Sequence, residues 1–551
     1  MNSGITHRVA QQTPMFISFG GDGIFFVYYW ATFPSRLQSF LLEFHMLKTL
    51  VRRQLTHWSS DRWSKSLVTL FMMQAMLLSS TSVVGQNNRQ LNKKDGNVLA
   101  AERAEAILQT SAMWEPMVKG ESLTGWTGDL KGYSVDNGVL ICKKGGKNLV
   151  SEKEYSDFAF QFEFKLEESG NNGIGIRVTA GGHPASNGME IQILDHNGAR
   201  YTGLAEMSGG KQRKLSWLKP WQYHGSIYGI TPSKTGYLKP VGQWNQETII
   251  AIDDHIVVIL NGAVIVDAFL DDTVPVDGGP HPGMKNKTGH LVLAGHSDRV
   301  EFRNMKIADY SAAPAMYVSS EKNVPPQGFE AIFNGKDLQG WKGLAHKNAN
   351  SRRELRGDAA TDAQDKADDV MREHWSVVKG ILTYDGKGQS LCTDKDYGDF
   401  EMYVDWKIPP GADSGIYLRG TPQIQIWDPW DLRMPPAQDG ENDLTPEQWV
   451  AAYKNGRNLG SGGLWNNKRW RNSPTVLADK KPGEWNQFLI RMVGDKVTIW
   501  LNGKKIVDRV ALENYWDKSG SVPLVRADQI ELQHHGSALY FKNLYLRELP
   551  Y

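Results

Sequence analysis

The sequence predicts an all-β protein built from two tandem copies of one sandwich or jelly-roll unit. Three observations carry that prediction. A series of short blocks recurs in the same order, at nearly the same spacing, through the two halves of the 551-residue chain. Apolar and polar residues alternate with a period of two in both halves, as half-buried strands require. Glycine is abundant, at 55 residues, which suits many tight turns between short strands.

The repeat is read block by block. GESLTGW (120–126) returns as GKDLQGW (335–341), and YSVDNGVL (133–140) as WSVVKGIL (375–382). YSDF (155–158) returns as YGDF (397–400), NGIGIR (172–177) as SGIYLR (414–419), and GQWN (242–245) as GEWN (483–486). LNG (260–262) followed by Asp267 returns as LNG (501–503) followed by Asp508, and FRN (302–304) as FKN (541–543). A run of matches in one order is a duplication.

Each unit reads as strands. Phe158, Phe160, Phe162 and Phe164 alternate with Ala159, Gln161, Glu163 and Lys165, one face of a half-buried strand. Phe400, Met402, Val404 and Trp406 repeat the pattern. Residues 249–260 read as one strand, turned at Asn261–Gly262 into a second at 264–266, because Asn-Gly suits a type I′ turn. Asn502–Gly503 is its twin. The first unit is expected over 113–309 and the second over 325–551, joined by a Pro- and small-residue-rich linker, 310–324. The second unit carries a charged insertion, 343–374, expected to be exposed and partly helical.

The N-terminal region reads as an address. A basic run (Lys48, Arg52, Arg53, Arg62, Lys65) precedes an apolar stretch at 67–78, LVTLFMMQAMLL, and small residues up to Gly85. That order is a signal peptide over 46–85, implying export to the periplasm or cell exterior; the stretch is short for a membrane span. Residues 1–45 read as an extension outside the folded protein. Between 86 and 112 lies a polar segment with a short helix over 98–112.

Charge and cysteine content exclude several classes. A net charge of +1 gives no basic footprint for nucleic acid, and no membrane association is expected beyond the signal peptide. Cys142 and Cys392 lie in different repeats with no metal-type spacing, and are expected to be free buried thiols. The 19 tryptophans are expected mostly in the core, Trp244 and Trp485 among them.

Chemistry is sought where polar residues interrupt an apolar strand. In MEIQILD (189–195), Glu190 and Gln192 share one face and Met189, Ile191 and Ile193 the other. Arg177 follows Gly175, which leaves room beside the sheet, and His296 ends the run LVLAGH. Glu190, His296 and Arg177 are the candidate catalytic residues, with Gln192 and Asp195 as binding residues. Arg177 also has a purely structural alternative, an ion pair with Glu190, and Asp195 another, capping the strand end. In the second unit Arg419, Gln423, Gln425, Trp427, Asp428 and His535 are the candidate binding residues. The copies are unequal: Gln423 stands where Glu190 does and cannot take a proton at neutral pH, His534 replaces Gly295, and Trp427 offers a stacking platform.

FEAIFNGKDLQGW (329–341), the GDF strand start, SGIYLR, MEIQILD, GEWN, the LNG hairpin and HGSALYFKN (535–543) together resemble the 3-keto-disaccharide hydrolase domain family. The resemblance covers roughly 113–309 and 325–549. It implies concanavalin A-like sandwiches of the lectin and glucanase type, a carbohydrate substrate oxidised at C3, and a bacterial setting of exported polysaccharide-handling proteins. A C3 ketone acidifies the C2 hydrogen, so a base near C2 and an electrophile at the C3 oxygen suffice for elimination at C1 followed by hydration. His296 or Glu190 is the candidate base and Arg177 the electrophile, with a divalent metal on Glu190, His296 or Asp195 as the alternative electrophile. Two other readings stay open. One is a non-catalytic carbohydrate-binding or cell-surface protein. The other is a conventional glycosidase, for which the strand of Glu190 supplies only one of two carboxylates.

Overall fold

Alternation builds the same two-layer scaffold twice. The computed structural model describes residues 95–550, apart from 203, 208–210, 215–217, 320, 347–353, 422, 431–459, 518 and 520. The signal-peptide expectation and residues 1–45 lie outside the described residues, as does part of the charged insertion. Among the described residues no helix is long and apolar enough to cross a membrane.

The first half contributes β1 (Trp114–Pro116), β2 (Trp126–Gly128), β3 (Tyr133–Asp136), β4 (Val139–Cys142), β5 (Leu149–Tyr155), β6 (Phe158–Leu166), β7 (Asn171–Val178), β8 (Met189–Leu194), β9 (Asn245–Ile252), β10 (His255–Leu260), β11 (Ala263–Phe269), β12 (Gly289–Leu293) and β13 (Val300–Asp309). The second contributes β14 (Glu330–Ala331), β15 (Trp341–Gly343), β16 (Trp375–Val378), β17 (Ile381–Tyr384), β18 (Leu391–Thr393), β19 (Phe400–Lys407), β20 (Asp413–Tyr417), β21 (Gln423–Trp427), β22 (Asn486–Val493), β23 (Lys496–Leu501), β24 (Lys504–Ala511), β25 (Glu531–Leu532) and β26 (Leu539–Glu548). In the first half an eight-stranded sheet runs β3-β4-β13-β6-β9-β10-β11, with β1 on β13, and a five-stranded sheet runs β2-β5-β12-β7-β8. The second half repeats both orders strand for strand, β16-β17-β26-β19-β22-β23-β24 with β14 on β26, and β15-β18-β25-β20-β21. Every pairing in these sheets is antiparallel. The chain is thus built almost wholly of β-sheet, as two tandem β-sandwiches.

Each core lies between its two sheets. Phe158, Phe160, Phe162 and Phe164 face Ile174, Ile176, Met189 and Ile191 in one cluster, and Phe400, Met402, Val404 and Trp406 face Ile416, Ile424 and Ile426 in the other. Cys142 and Cys392 are buried thiols. Asn261 and Gly262, like Asn502 and Gly503, have positive φ, which the type I′ turn requires.

Two expectations are corrected. Residues 249–260 are not one strand: the chain turns back at Asp253, so β9 and β10 are partners. Trp244 and Trp485 are only half-buried. Each supports cations on its ring, Lys165 and Arg303 on Trp244, and Lys407 and Lys542 on Trp485. The helix of the polar segment is α1 (Gly96–Ser111), capped by the Asp95 side chain. The insertion contains α2 (Gly357–His374), which buries Ala367 and Met371.

Candidate functional site

The five-stranded sheet of each sandwich has one face on the core and one turned away from it. On β8, Met189, Ile191 and Ile193 enter the core, so Glu190 and Gln192 occupy the other face by alternation. An irregular segment runs along the free edge of β8. There Tyr228 N–H donates to the Glu190 carbonyl at 2.9 Å, and Gln192 N–H to the Ser226 carbonyl at 3.0 Å. That edge cover leaves Glu190 only 4% exposed.

Glu190 Oε1 lies 3.0 Å from His296 Nε2. The imidazole, 37% exposed, is the accessible member of the pair. Its hydrogen bond to Glu190 raises the His296 pKa above the ordinary 6.5, and burial opposes this. The neighbouring strand makes the arrangement sterically feasible: a Cβ on Gly173 of β7 would sit 2.1 Å from Glu190 Oε1, so glycine there leaves the carboxylate its space. Gln192 Nε2 donates to Asn171 Oδ1 at 3.0 Å, which fixes its amide beside the pair. A second His–carboxylate contact, His224 Nε2 to Glu247 Oε2 at 3.0 Å, is wholly buried and offers a ligand no access.

Arg177 is not part of this constellation, nor is it the partner of Glu190. Its φ is +49°, a left-handed kink that breaks strand alternation. The guanidinium is buried, donating to the Ser156 carbonyl at 2.8 Å, the Asp253 carbonyl at 2.5 Å and Asp157 Oδ1 at 3.0 Å. Arg419 repeats this with φ +47°, donating to the Gly398 and Gly494 carbonyls and to Asp399. Both arginines hold turns together, and the electrophile role assigned to Arg177 falls with its position. Asp195 and Asp428 are structural too. Asp195 Oδ2 accepts the Ser169 N–H at 2.8 Å; Asp428 accepts the N–H groups of Gly411 and Trp430, each at 2.9 Å.

The donor set for a divalent cation does not assemble either. Among the described residues no group of three or more His, Cys, Asp or Glu is placed to hold a metal ion, and the Asp195 carboxylate is turned to a backbone N–H.

In the second sandwich Gln423 fills the position of Glu190. Its Nε2 donates to the Ser414 carbonyl at 3.2 Å, Gln425 Oε1 at 3.1 Å and Gln533 Oε1 at 2.7 Å. Trp427 is half-buried at the end of β21, its ring 5.4 Å from that of Trp465 in an edge-to-face contact. His535 lies near Asp413, with Nδ1 to Oδ2 at 3.4 Å. Asp413, Gln533, Asn171 and Gly173 are the residues sequence reasoning missed. Asn171 and Asp413 stand one position before the NGIGIR and SGIYLR blocks, where the copies differ rather than agree.

The chain is similar to several known proteins. A 3-keto-disaccharide hydrolase of Bacteroides thetaiotaomicron is 21% identical over 294 residues, 46% of this chain and 91% of that protein. A solved structure from Parabacteroides distasonis, provisionally described as a glycosyl hydrolase, shares 25% identity over 36% of this chain and 98% of its own, with a TM-score of 0.30. A carbohydrate-binding module from Bacillus subtilis shares 16% identity over 36% of this chain and 98% of its own, with a TM-score of 0.19. The model of the 3-keto-alpha-glucoside-1,2-lyase-like domain matches twice, over 113–308 and 328–547. Since those two matches span most of its length, the chain belongs to the 3-keto-alpha-glucoside-1,2-lyase-like domain family.

Proposed function

We propose that the protein cleaves glycosidic bonds of sugars oxidised at C3, using Glu190 and His296 of the first sandwich. The observation that carries this is an accessible imidazole held 3.0 Å from a buried carboxylate on the non-core face of the sheet. Neutral His296 takes the C2 proton while Glu190 orients the ring and stabilises the imidazolium that forms. The C2–H electron pair moves into an enolate on the C3 oxygen. It returns to form the C1–C2 double bond as the C1–O bond breaks, and the departing alkoxide takes a proton. Water then adds at C1. Gln192, its amide fixed by Asn171, is the hydrogen-bonding partner for a sugar hydroxyl. One carboxylate and one imidazole meet this demand, whereas an ordinary glycosidase needs two carboxylates across the bond.

The test compares matched native and 3-keto disaccharides with the purified protein, with and without chelator. Wild type should cleave the 3-keto form, and Glu190→Gln and His296→Ala should each lower kcat about 10²–10⁴-fold, the usual share of a general base. Variants as fast as wild type would remove the pair from the mechanism. Carbohydrate binding without cleavage is the second reading, favoured by the Trp427–Trp465 pair; retention on a sugar column with neither disaccharide cleaved would select it. Export, argued from residues 46–85, completes the proposal and is tested by N-terminal sequencing of the mature protein.

A further inference from the structure

We propose that the second sandwich holds a second proton-abstracting site for the same class of 3-keto glycoside, formed by Asp413 and His535. This deepens the reading of the first sandwich and rests on it. The argument is an exchange between two strands of one frame. β7 and β8 carry Asn171 and Glu190; their counterparts β20 and β21 carry Asp413 and Gln423. The carboxylate lost from one strand is regained on its neighbour, and the amide moves the other way.

The surrounding bonds keep their pattern through this exchange. Gln192 donates to Asn171, and Gln425 donates to Asp413. Gly173 and Gly415 both leave room for the side chain on the next strand, since a Cβ at Gly415 would lie 2.3 Å from Gln423 Nε2. The histidine that follows the last strand of the sheet faces the carboxylate in each copy, His296 at Glu190 and His535 at Asp413. His535 is exposed and Asp413 is largely buried, so here too the accessible group is the imidazole. Burial raises the Asp413 pKa, and the charge of His535 opposes this.

The walls of the second site differ. Trp427 is the register partner of Asp413, and Trp465 N–H donates to the Gln423 carbonyl. Leu194 and Tyr228 hold those places in the first sandwich. Two indoles offer a broader surface for the C–H face of a pyranose, so the second site should favour a longer or differently linked glycoside. The chemistry balances as above: the C2 proton passes to the pair, the C1–O bond breaks, the alkoxide leaves with a proton, and no oxidant or reductant is consumed.

The sequence itself designs the test. Asn is the residue the first copy holds at position 171 and Gln the one the second holds at 423, so Asp413→Asn and Glu190→Gln each install a side chain the scaffold already accommodates. The full chain is incubated with a 3-keto disaccharide in deuterium oxide, and deuterium entry at C2 and cleavage are followed by NMR. The expected result is residual exchange in Glu190→Gln that falls about 100-fold further in Glu190→Gln/Asp413→Asn and likewise in Glu190→Gln/His535→Ala. If Glu190→Gln alone abolishes exchange by an active wild type, the second site is overturned and the first stands. If Asp413→Asn alone abolishes it while Glu190→Gln does not, the second site stands and the first assignment falls. A wild type that neither exchanges nor cleaves overturns both.

Discussion

The two sandwiches share every strand pairing of their large sheets, yet one row on the outward faces of those sheets is built from opposite materials. In the first, Ile250 of β9, Ala159 of β6 and Ala308 of β13 lie side by side in register. In the second, the same row reads Arg491, Glu401 and Arg547. The apolar row is closed by α1, whose Ala101, Ala104 and Leu108 join it in one cluster with Val493 and Leu549 of the second sandwich. The charged row is closed electrostatically: Arg491 bridges Glu401 and, across the boundary, Asp157 of the first sandwich, while Arg547 also pairs with Glu401. The duplication therefore became an asymmetric pair. Each copy changed on the face that meets the other, leaving the shared topology intact.

The largest effect should come from breaking the charged row. Arg491→Met deprives buried Glu401 and Asp157 of a shared cation. Severing a buried pair on one side costs about 3–5 kcal/mol, which urea unfolding would read. Grafting the apolar row of the first sandwich, as Glu401→Ala/Arg491→Ile/Arg547→Ala, should cost less than the single change, because all three members of the row go together and only Asp157, still held by Arg177, keeps its charge. A triple variant less stable than Arg491→Met would mean that the charges stabilise the pair of sandwiches rather than merely compensating one another.

A smaller effect should come from the matched glycines beneath the two sites. In Gly173→Ala the new methyl would overlap the Glu190 carboxylate, and in Gly415→Ala the Gln423 amide. Overpacking of this kind costs about 1–3 kcal/mol. Thermal melts should register a comparable loss in both. Activity should not: Gly173→Ala displaces Glu190 from His296 and lowers first-site turnover about tenfold or more, roughly 1.4 kcal/mol or more in the barrier, while Gly415→Ala disturbs an amide that exchanges no proton with a substrate. Equal activity losses would show that the carboxylate and amide positions do the same work.

The duplication and the strand alternation were legible because identity and periodicity survive in local sequence. Parity also placed Glu190 and Gln192 on the right face, and the repeat located His296 against His535. It failed at Arg177 because alternation assumes extended backbone, and φ turns positive there and at Arg419. Asp413 was missed for a different reason. Matching blocks reward sameness, while the informative event is a complementary exchange, Asn171 to Asp413 and Glu190 to Gln423, visible only once the strands are paired. Trp244 and Trp485 misled because a ring before a strand looks apolar in sequence, whereas the lysines and arginine on it come from other strands.

The smallest expected effect is also the most direct on the chemistry of the pair. Two histidines at the end of the small sheets should titrate on opposite sides of 6.5. His296 is raised by its bond to Glu190, and His534, bonded to Ser390 Oγ at 2.9 Å, is lowered by burial. A raised histidine contributes stability that is fully present below its unfolded value and is lost as pH rises through the folded one. The His296–Glu190 ion pair thus holds below the ordinary 6.5 and weakens as pH rises through the raised His296 value, while C2 abstraction needs the neutral ring. Turnover should therefore rise with pH along a limb centred above 6.5, and Glu190→Gln should pull both that limb and the His296 NMR titration downward, leaving His534 where it was. A His296 titration unmoved by Glu190→Gln would mean that the 3.0 Å contact carries no charge in solution.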